Sequence, residues 1–212
     1  MKLYNYFRSS AAFRVRIALN LKGLEYEHIS KSLVKHEHRA ADYLALNPQG
    51  LIPALEVDGT VISQSLAIIE YLNDLQPQPP LLPADPLARA QVRSMALAIA
   101  CDIHPLNNLR VLNYLRQDLA QNDEGVNTWY RHWISAGFRG LEQQVAKHSS
   151  ARRHCFGDSL SLADVCLVPQ MYNARRFKTD LSPFPTLVAI STHLETMPAF
   201  DAARPEAQPD AQ

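Results

Sequence analysis

Short apolar runs and longer amphipathic stretches alternate along the first 75 residues. Runs with aromatic and β-branched residues predict strands, and apolar side chains spaced three or four positions apart predict helices. The predicted strands are Lys2–Phe7, Glu25–Ile29, Ala54–Val57 and Val61–Ser63, and the predicted helices are Ala11–Lys22, Ala41–Leu46 and Ser65–Leu75. The order is βαβαββα, which indicates a thioredoxin-like α/β domain.

Local signals support several of these boundaries. Gly23 follows the first helix and suits the left-handed conformation that closes helices. Asp58-Gly59 separates the last two strands, and this pair favours the positive φ angles of a type I′ hairpin turn. Ser63 or Ser65 is available to cap the third helix.

A proline-rich segment divides the chain. Residues 76–86 hold five prolines in eleven positions, which excludes a helix and predicts an extended connector. Beyond it, apolar residues recur at helical spacing, at Val92, Met95, Ile99, Ile103, Leu106 and Leu109. We therefore predict a thioredoxin-like domain over residues 1–80 and an all-α domain, a helical bundle, over residues 87–212.

The second region should hold several helices. Pro105 should kink the first long one. Further helices are predicted over Asn127–Lys147, Leu162–Arg175 and Thr186–Leu194. Ser161 and Asp164 have the spacing of a capping box at the start of one of them. The tail from about Arg204 is predicted to be loose.

Composition and charge narrow the possible partners. Lys plus Arg and Asp plus Glu number 21 each, so no basic surface for nucleic acid is expected. No signal peptide or membrane-spanning stretch is recognisable, so we expect a cytoplasmic protein without a membrane partner. Cys101, Cys155 and Cys166 lack CxxC spacing, which predicts reduced, buried thiols and no metal site.

The start of the first helix carries candidate chemistry. Arg8-Ser9-Ser10-Ala11 places hydroxyls beside free backbone N–H groups and the positive end of a helix dipole, which together can stabilise a thiolate. The first cysteine is Cys101, so the sulfur should come from outside the protein, and glutathione is the obvious candidate. The alternative is that Ser9 or Ser10 only caps the helix.

Two further features fit a tripeptide ligand. A cis bond at Ile52-Pro53 would turn the backbone and leave the N–H and C=O of Ile52 to pair with a peptide. Gln64-Ser65, at the start of the third helix, could bind a carboxylate. Taken singly, the proline can be a strand boundary and Ser65 a helix cap.

Four segments together resemble one family. SSAAFRVRIALNLKGLEYE at residues 9–27, NPQGLIPALEVDG at 47–59, ISQSLAIIEYL at 62–72 and HPLNNLRVL at 104–112 are similar to zeta-class glutathione transferases. This class includes glutathione-dependent maleylpyruvate and maleylacetoacetate isomerases. The resemblance implies an enzyme of gentisate (aromatic) degradation that converts maleylpyruvate to fumarylpyruvate by reversible thiolate addition. Maleylacetoacetate is the alternative substrate.

The resemblance also implies roles for matching positions. These are Ser9 (or Ser10) for the glutathione sulfur, Ile52 and Pro53 for its cysteinyl backbone, Gln64 and Ser65 for its γ-glutamyl end, His38 and Gln49 for its glycyl end, and His104 and Asn108, which would reach it across the domain interface. A homodimer is likewise implied. The family usually has Cys and often Trp where this chain has Ala11 and Phe13, and the resemblance implies that position 11 faces the site.

Three arginines are candidates for binding a dianionic maleyl keto acid. Arg8 adjoins Ser9, Arg110 lies near His104, and Arg176 follows a predicted helix. Guanidinium groups stay charged and bind carboxylates in a bidentate way. The alternative is that these arginines belong to solvated or ion-paired surfaces.

Three competing functions follow from the same pattern. A cysteine-type thiol transferase would need a cysteine at the first helix, and none is present there. A transferase that conjugates glutathione to small electrophiles would use the same thiolate. A binding module on this fold would retain glutathione without turnover.

Overall fold

The computed structural model describes residues 1–211, which form two compact units. One unit comprises Met1–Pro80 together with the chain from Thr196 onward, and the other comprises Leu81–Glu195. We predicted instead that the second domain covers residues 87–212. The difference arises because residues after Thr196 hydrogen-bond to the first helix and the first strand-to-helix loop.

The first unit has the predicted βαβαββα order. Its elements are β1 (Lys2–Asn5), α1 (Ser10–Lys22), β2 (Glu27–Ser30), a 3-10 turn (Glu37–Arg39), α2 (Ala41–Leu46), β3 (Ala54–Val57), β4 (Thr60–Ser63) and α3 (Ser65–Leu75). The strand order is β2-β1-β3-β4, with β1 and β2 parallel and the other pairs antiparallel. This mixed four-stranded sheet with flanking helices confirms the thioredoxin-like prediction.

The residues predicted to form turns adopt the backbone angles that those turns need. Gly23 adopts φ +62° and its N–H bonds back to the last turn of α1. Asp58 and Gly59 adopt φ of +49° and +80°, both positive as a type I′ turn needs. Helices α1 and α3 pack together, with Ile17 and Ile69 among the buried residues.

The second unit is helical. Its elements are α4 (Pro86–Leu97), a π-helical turn (Ala98–Ile103), a 3-10 turn (His104–Asn107), α5 (Leu109–Gln117), α6 (Asp123–His148), α7 (Leu162–Arg176) and α8 (Pro185–Glu195). The kink predicted at Pro105 is a complete break, because the chain passes through two non-α turns before Asn108 caps α5. Apolar periodicity alone did not reveal this break.

The capping box at α7 is present. Asp164 is fully buried, and its carboxylate accepts bonds from the Ser161 N–H and the Ser161 hydroxyl, both at 2.8 Å. The Cys155 N–H also donates to it at 2.7 Å. Burial raises the pKa of Asp164, while these donors act in the opposite direction.

The tail from Arg204 is ordered, contrary to the sequence expectation. After α9 (Pro198–Asp201), a 3-10 turn (Pro205–Ala207) follows, and Gln208 Nε2 donates to the Ala202 and Arg204 carbonyls at 2.9 Å each. A chain end is expected to be loose, but Asp210 of this tail accepts hydrogen bonds from Phe7 and Ser30, which lie far away in the sequence.

The cysteines are only partly as predicted. Cys155 and Cys166 are buried, whereas Cys101 is exposed. No disulfide joins cysteines in the part of the chain that the structure describes. Burial raises the pKa of Cys155 well above its usual value, so this thiol stays protonated.

Candidate active site

Ser9 is the N-cap of α1. Its Oγ accepts a hydrogen bond from the Ala12 N–H at 3.2 Å, and its own N–H donates to the Tyr6 carbonyl at 3.0 Å. A hydroxyl can donate one hydrogen bond while it accepts another, so the Ser9 O–H can still donate. Capping and thiolate stabilisation are therefore compatible roles for the same side chain.

The residues around Ser9 add charge and further hydroxyls. Arg8 is exposed; its Nη2 donates to the Tyr6 hydroxyl at 3.0 Å and its guanidinium lies 5.0 Å from the centre of the Phe7 ring. Ser10 is buried as the first residue of α1, and Ala11 is partly exposed. The structure thus places a cation next to Ser9.

Two side-chain hydrogen bonds to the Leu51 carbonyl hold the chain that precedes β3. Leu51 O accepts hydrogen bonds from the Tyr43 hydroxyl at 2.7 Å and from Asn47 Nδ2 at 2.8 Å. The following Ile52-Pro53 bond is cis, as the sequence analysis expected. The β1–β3 ladder ends at the Tyr4 and Ala54 pair, so Ile52 lies outside it.

The predicted γ-glutamyl and glycyl residues meet in the structure. Gln64 Nε2 donates to Gln49 Oε1 at 3.2 Å. Gln64 adopts φ +72° and is the N-cap of α3, whereas we predicted Ser63 or Ser65 in that role. Its side chain makes no capping bond, which leaves it directed to Gln49.

Ser65 has a partner that the sequence analysis missed. Arg14, in the middle of α1 and only 1% exposed, donates from Nη1 to Ser65 Oγ at 3.3 Å. A guanidinium and a helix N-terminus both favour a carboxylate at this place. The available signal was a charged residue between Phe13 and Val15, in an otherwise apolar part of the helix.

His38 is buried beside the loop that carries Gln49. Its Nδ1 has no hydrogen-bond partner within residues 1–211, and burial lowers its pKa. Gly50 has φ +56°, and a Cβ there would lie 3.0 Å from the His38 carbonyl. The loop therefore packs closely against this turn, and glycine permits the approach.

In the second unit, the 104–112 segment forms a turn and a helix start. His104 is the first residue of the 3-10 turn, and Asn108 caps α5 by accepting from the Arg110 N–H at 3.1 Å. Arg110 is exposed in the first turn of α5. The role of His104 and Asn108 in glutathione binding stays a prediction.

Tyr130 of α6 connects this segment to Arg176. Its carbonyl accepts from Asn107 Nδ2 at 3.3 Å, and its ring stacks on Phe177 with centres 3.5 Å apart. Arg176, exposed at the end of α7, lies with its guanidinium 5.1 Å from the centre of the Phe177 ring. Burial raises the pKa of Tyr130, which keeps the phenol neutral beside this cation.

The described residues hold no group of three His, Cys, Asp or Glu side chains suited to a metal ion. No helix within residues 1–211 has the length and apolar character needed to cross a bilayer.

Comparison with known proteins places these features in a family. Residues 1–74 match the family described as Glutathione S-transferase, N-terminal domain. A probable maleylacetoacetate isomerase of Vibrio cholerae is 53% identical, over 99% of this chain and 97% of that protein. The chain belongs to the glutathione transferase family.

Solved structures of related isomerases agree with this chain in fold over the full length. A maleylpyruvate isomerase, a bacterial zeta-class glutathione transferase, is 47% identical with a TM-score of 0.97, and all of both chains is covered. A maleylacetoacetate isomerase from Methylobacterium extorquens with bound malonate and glutathione is 40% identical with a TM-score of 0.95, again over all of both chains. Within the glutathione transferase family, this chain is therefore similar to zeta-class isomerases over its full length.

Proposed function

We propose that this glutathione transferase is a glutathione-dependent cis–trans isomerase of maleyl keto acids. Maleylpyruvate, giving fumarylpyruvate, is the preferred substrate, and maleylacetoacetate is the alternative. The observation that carries the proposal is the Ser9 hydroxyl at the mouth of α1, which accepts from the Ala12 N–H and keeps its own proton to donate. Relatives that bear the isomerase names extend over the whole chain.

The first unit offers groups that fit each part of glutathione. Arg14 and the first turn of α3 provide positive charge at Ser65 for a carboxylate. Ile52 follows the anchored Leu51 carbonyl and lies outside the β1–β3 ladder, which supports the proposal that its backbone pairs with the peptide. His38, whose buried Nδ1 has no hydrogen-bond partner among residues 1–211, lies in the turn against which Gly50 packs, and we propose it for the glycyl end together with Gln49.

Glutathione, when bound, supplies the thiolate that adds reversibly to the conjugated double bond and so allows rotation about it. The chain must keep that sulfur ionised. We propose that the Ser9 hydroxyl, together with the free N–H groups at the start of α1, stabilises this negative charge. These groups are pre-oriented by the helix and need no rearrangement during the reaction.

Cations must offset the two carboxylates of the substrate and the charge that develops on its carbonyl oxygen. We propose Arg8 in the first unit and Arg110 and Arg176 in the second for this purpose. All three are exposed side chains, so their charge is available to a ligand. The stacked Tyr130 and Phe177 rings hold the end of α7 that carries Arg176. We include His104 and Asn108 of the second unit as polar groups for the same ligands.

Product analysis tests the proposal. Purified protein is mixed with maleylpyruvate, with and without glutathione, and the products are followed by NMR. We expect fumarylpyruvate to form only with glutathione and the glutathione concentration to stay constant. A stable thioether, with glutathione consumed, would instead show a conjugating transferase. Retention on glutathione-agarose without either product would indicate a binding module.

Parallel turnover measurements distinguish the two isomerase substrates. Maleylpyruvate and maleylacetoacetate differ by one methylene, which is worth about 0.8 kcal/mol of burial, so only a modest preference is expected. A higher kcat/KM for maleylacetoacetate would reassign the substrate but leave the reaction type unchanged.

We propose that the protein acts as a homodimer in the cytoplasm, in the breakdown of aromatic compounds, as its resemblance to the zeta class implies. Sedimentation equilibrium should then give twice the mass of the 23.8 kDa chain.

A further inference from the structure

The chain from Thr196 returns to the first unit and contacts the loop before the candidate thiolate site. Arg16, fully buried in α1, donates from Nε to the Ala203 carbonyl at 2.9 Å. The same guanidinium donates from Nη2 to the Phe7 carbonyl at 3.0 Å. One buried cation therefore joins the C-terminal segment to the loop that leads into Ser9.

Asp210 holds the other side of this loop. Its Oδ2 accepts from the Phe7 N–H at 3.0 Å and from the Ser30 hydroxyl at 3.0 Å, and its Oδ1 lies 3.2 Å from His28 Nε2. Phe7 precedes Ser9 by two residues. Both backbone groups of Phe7 are thus bound by charged side chains, Arg16 and Asp210, instead of by a neighbouring strand.

These contacts continue through β1. Arg16 Nη1 donates to Asn5 Oδ1 at 2.9 Å, and Asn5 Nδ2 lies 3.2 Å from His28 Nδ1. With Nδ1 facing a donor, the neutral imidazole of His28 carries its proton on Nε2, which faces Asp210. Polar contacts therefore run from Arg16 through Asn5 and His28 to Asp210, whose Oδ1 lies 3.2 Å from His28 Nε2.

Apolar contacts support the same arrangement. Ala211 packs against a buried cluster of Tyr4, Tyr6, Phe7, Ala12, Tyr43, Ile52 and Ala54. That cluster includes Ile52, which we assign to the peptide backbone of glutathione, and Ala12, which donates to Ser9. The C-terminal segment thus packs against a cluster that contains residues from both parts of the candidate site.

We propose that Asp210 is a positioning residue for the thiolate site: by binding the Phe7 N–H it fixes the loop that places the Ser9 hydroxyl. This rests on the proposed function, since it assumes that Ser9 serves glutathione. The carboxylate acts through the backbone and does not touch the ligand. Small displacements of reacting groups lower rates steeply, so such support matters for turnover.

The test compares Asp210→Ala with Asp210→Asn. Asp201→Ala is the matched control, because Asp201 is exposed in the same C-terminal segment and pairs with Arg204. For each variant, the thiolate of bound glutathione is titrated by its ultraviolet absorbance. Steady-state kinetics then give kcat and KM separately. Thermal unfolding of each variant is recorded separately.

Asp210→Ala should raise the titration midpoint of bound glutathione and lower kcat by about tenfold, because small misplacements of reacting groups lower rates steeply. Its KM for the maleyl substrate should stay close to that of the wild type. Asp210→Asn keeps an oxygen that can accept from the Phe7 N–H, so the titration midpoint of bound glutathione should shift less in this variant. Asp201→Ala should leave both the titration and kcat unchanged.

A lower melting temperature with an unaltered thiolate titration and kcat would overturn the proposal and leave Asp210 a purely structural residue. If Asp210→Ala yields no folded protein, Asp210→Glu, which keeps the carboxylate but displaces it by one methylene, takes its place, and an unchanged titration and kcat in that variant would equally overturn the proposal. A wild type that gives no glutathione-dependent thiolate signal would mark failure of the proposed function itself, which the wild-type titration reveals before any variant is compared.

Discussion

Arg14 donates a hydrogen bond to Ser65 Oγ at 3.3 Å, which joins the middle of α1 to the first residue of α3. The guanidinium is almost completely buried, and Ser65 itself is only 7% exposed. A buried cation therefore lies under the helix N-terminus assigned to the γ-glutamyl carboxylate. The sequence suggested the helix end as an anion site, and the structure adds a fixed charge to it.

Ser65→Ala should weaken both the fold and glutathione binding. Removing one partner of a buried hydrogen bond costs about 1–3 kcal/mol of unfolding free energy, because the donor of Arg14 loses its acceptor. Glutathione affinity should fall as well, since the hydroxyl is one of the proposed ligand groups. Urea unfolding and calorimetry measure the two effects. Ser63→Ala, two residues earlier in β4, is the control, and an equal loss of affinity there would contradict the assignment.

Ser9→Ala should raise the pKa of the glutathione thiol bound to the protein. A hydrogen bond to a charged group contributes about 1.5–3 kcal/mol, which corresponds to a shift of about 1 to 2 pH units. The variant should also lose about 1 kcal/mol of stability, since Ser9 caps α1. Absorbance titration of the thiolate and denaturant unfolding separate these effects.

Ser10→Ala provides the comparison for that experiment. If Ser9→Ala leaves both the titration and the turnover unchanged while Ser10→Ala alters them, the sulfur is held by Ser10. If neither substitution has an effect, the backbone N–H groups of α1 alone must stabilise the thiolate.

Elements with local causes could be predicted from the sequence. Gly23 ends α1 with a positive φ, the Asp58-Gly59 pair forms the turn it favours, and Asp164 completes its capping box. In each case the residue and its partner lie within a few positions, so spacing along the chain determines the contact. The order of elements in the first unit followed from the same kind of signal.

Contacts between distant residues could not be predicted in this way. Arg16 and Asp210 bind one loop from opposite directions, although 194 positions separate them, and nothing near Arg204 indicated that the tail would be ordered. The break at Pro105 likewise depends on where the chain packs on α6, through the bond from Trp129 Nε1 to the Leu106 carbonyl at 2.8 Å.

The candidate site was foreseen in part. Gln49 and Gln64 were assigned by resemblance to opposite ends of the peptide, and the structure brings their side chains into contact at 3.2 Å. Tyr43 and Asn47, which fix Leu51, were not identified, because their function is to bind a backbone carbonyl and no motif marks it.

Asp164→Ala should be strongly destabilising. The substitution leaves three buried donors without their acceptor, and the free energy of unfolding should fall by about 3 kcal/mol or more. Equilibrium unfolding in urea measures this loss. Asp158→Ala, at an exposed position in the preceding loop, should change stability by less than about 0.5 kcal/mol. Similar losses of unfolding free energy in the two variants would show that the capping box does not stabilise the fold more than an exposed loop residue does.

Arg176→Ala should raise KM for the maleyl substrate by about tenfold to a hundredfold, which is the range for losing a charge-assisted carboxylate contact. Glutathione affinity should stay nearly constant. Steady-state kinetics with each substrate varied in turn provide the measurement. Lys178→Ala removes another exposed cation two positions later and serves as control. Unaltered kinetics in Arg176→Ala would remove this arginine from the site.

Stability should decrease as the pH falls below about 6.5, in part because of His28. Burial lowers the pKa of His28 below its usual value, and Arg16 acts in the same direction, while the Asp210 carboxylate partly opposes them. The unfolded chain then binds more protons than the folded one around pH 6, so protonation favours unfolding. The contribution of His28 is complete above its unfolded pKa and is lost as the pH falls through the folded value.

Urea unfolding at pH 7.5 and pH 5.5 measures this dependence. His28→Gln should show a smaller difference in unfolding free energy between the two pH values than the wild type, because its side chain takes up no proton. His132→Gln, at an exposed position on α6, is the control and should keep the wild-type difference. If His28→Gln shows the same difference as the wild type, other groups account for the loss of stability in acid. His38 is then the first residue to examine, because burial also lowers its pKa.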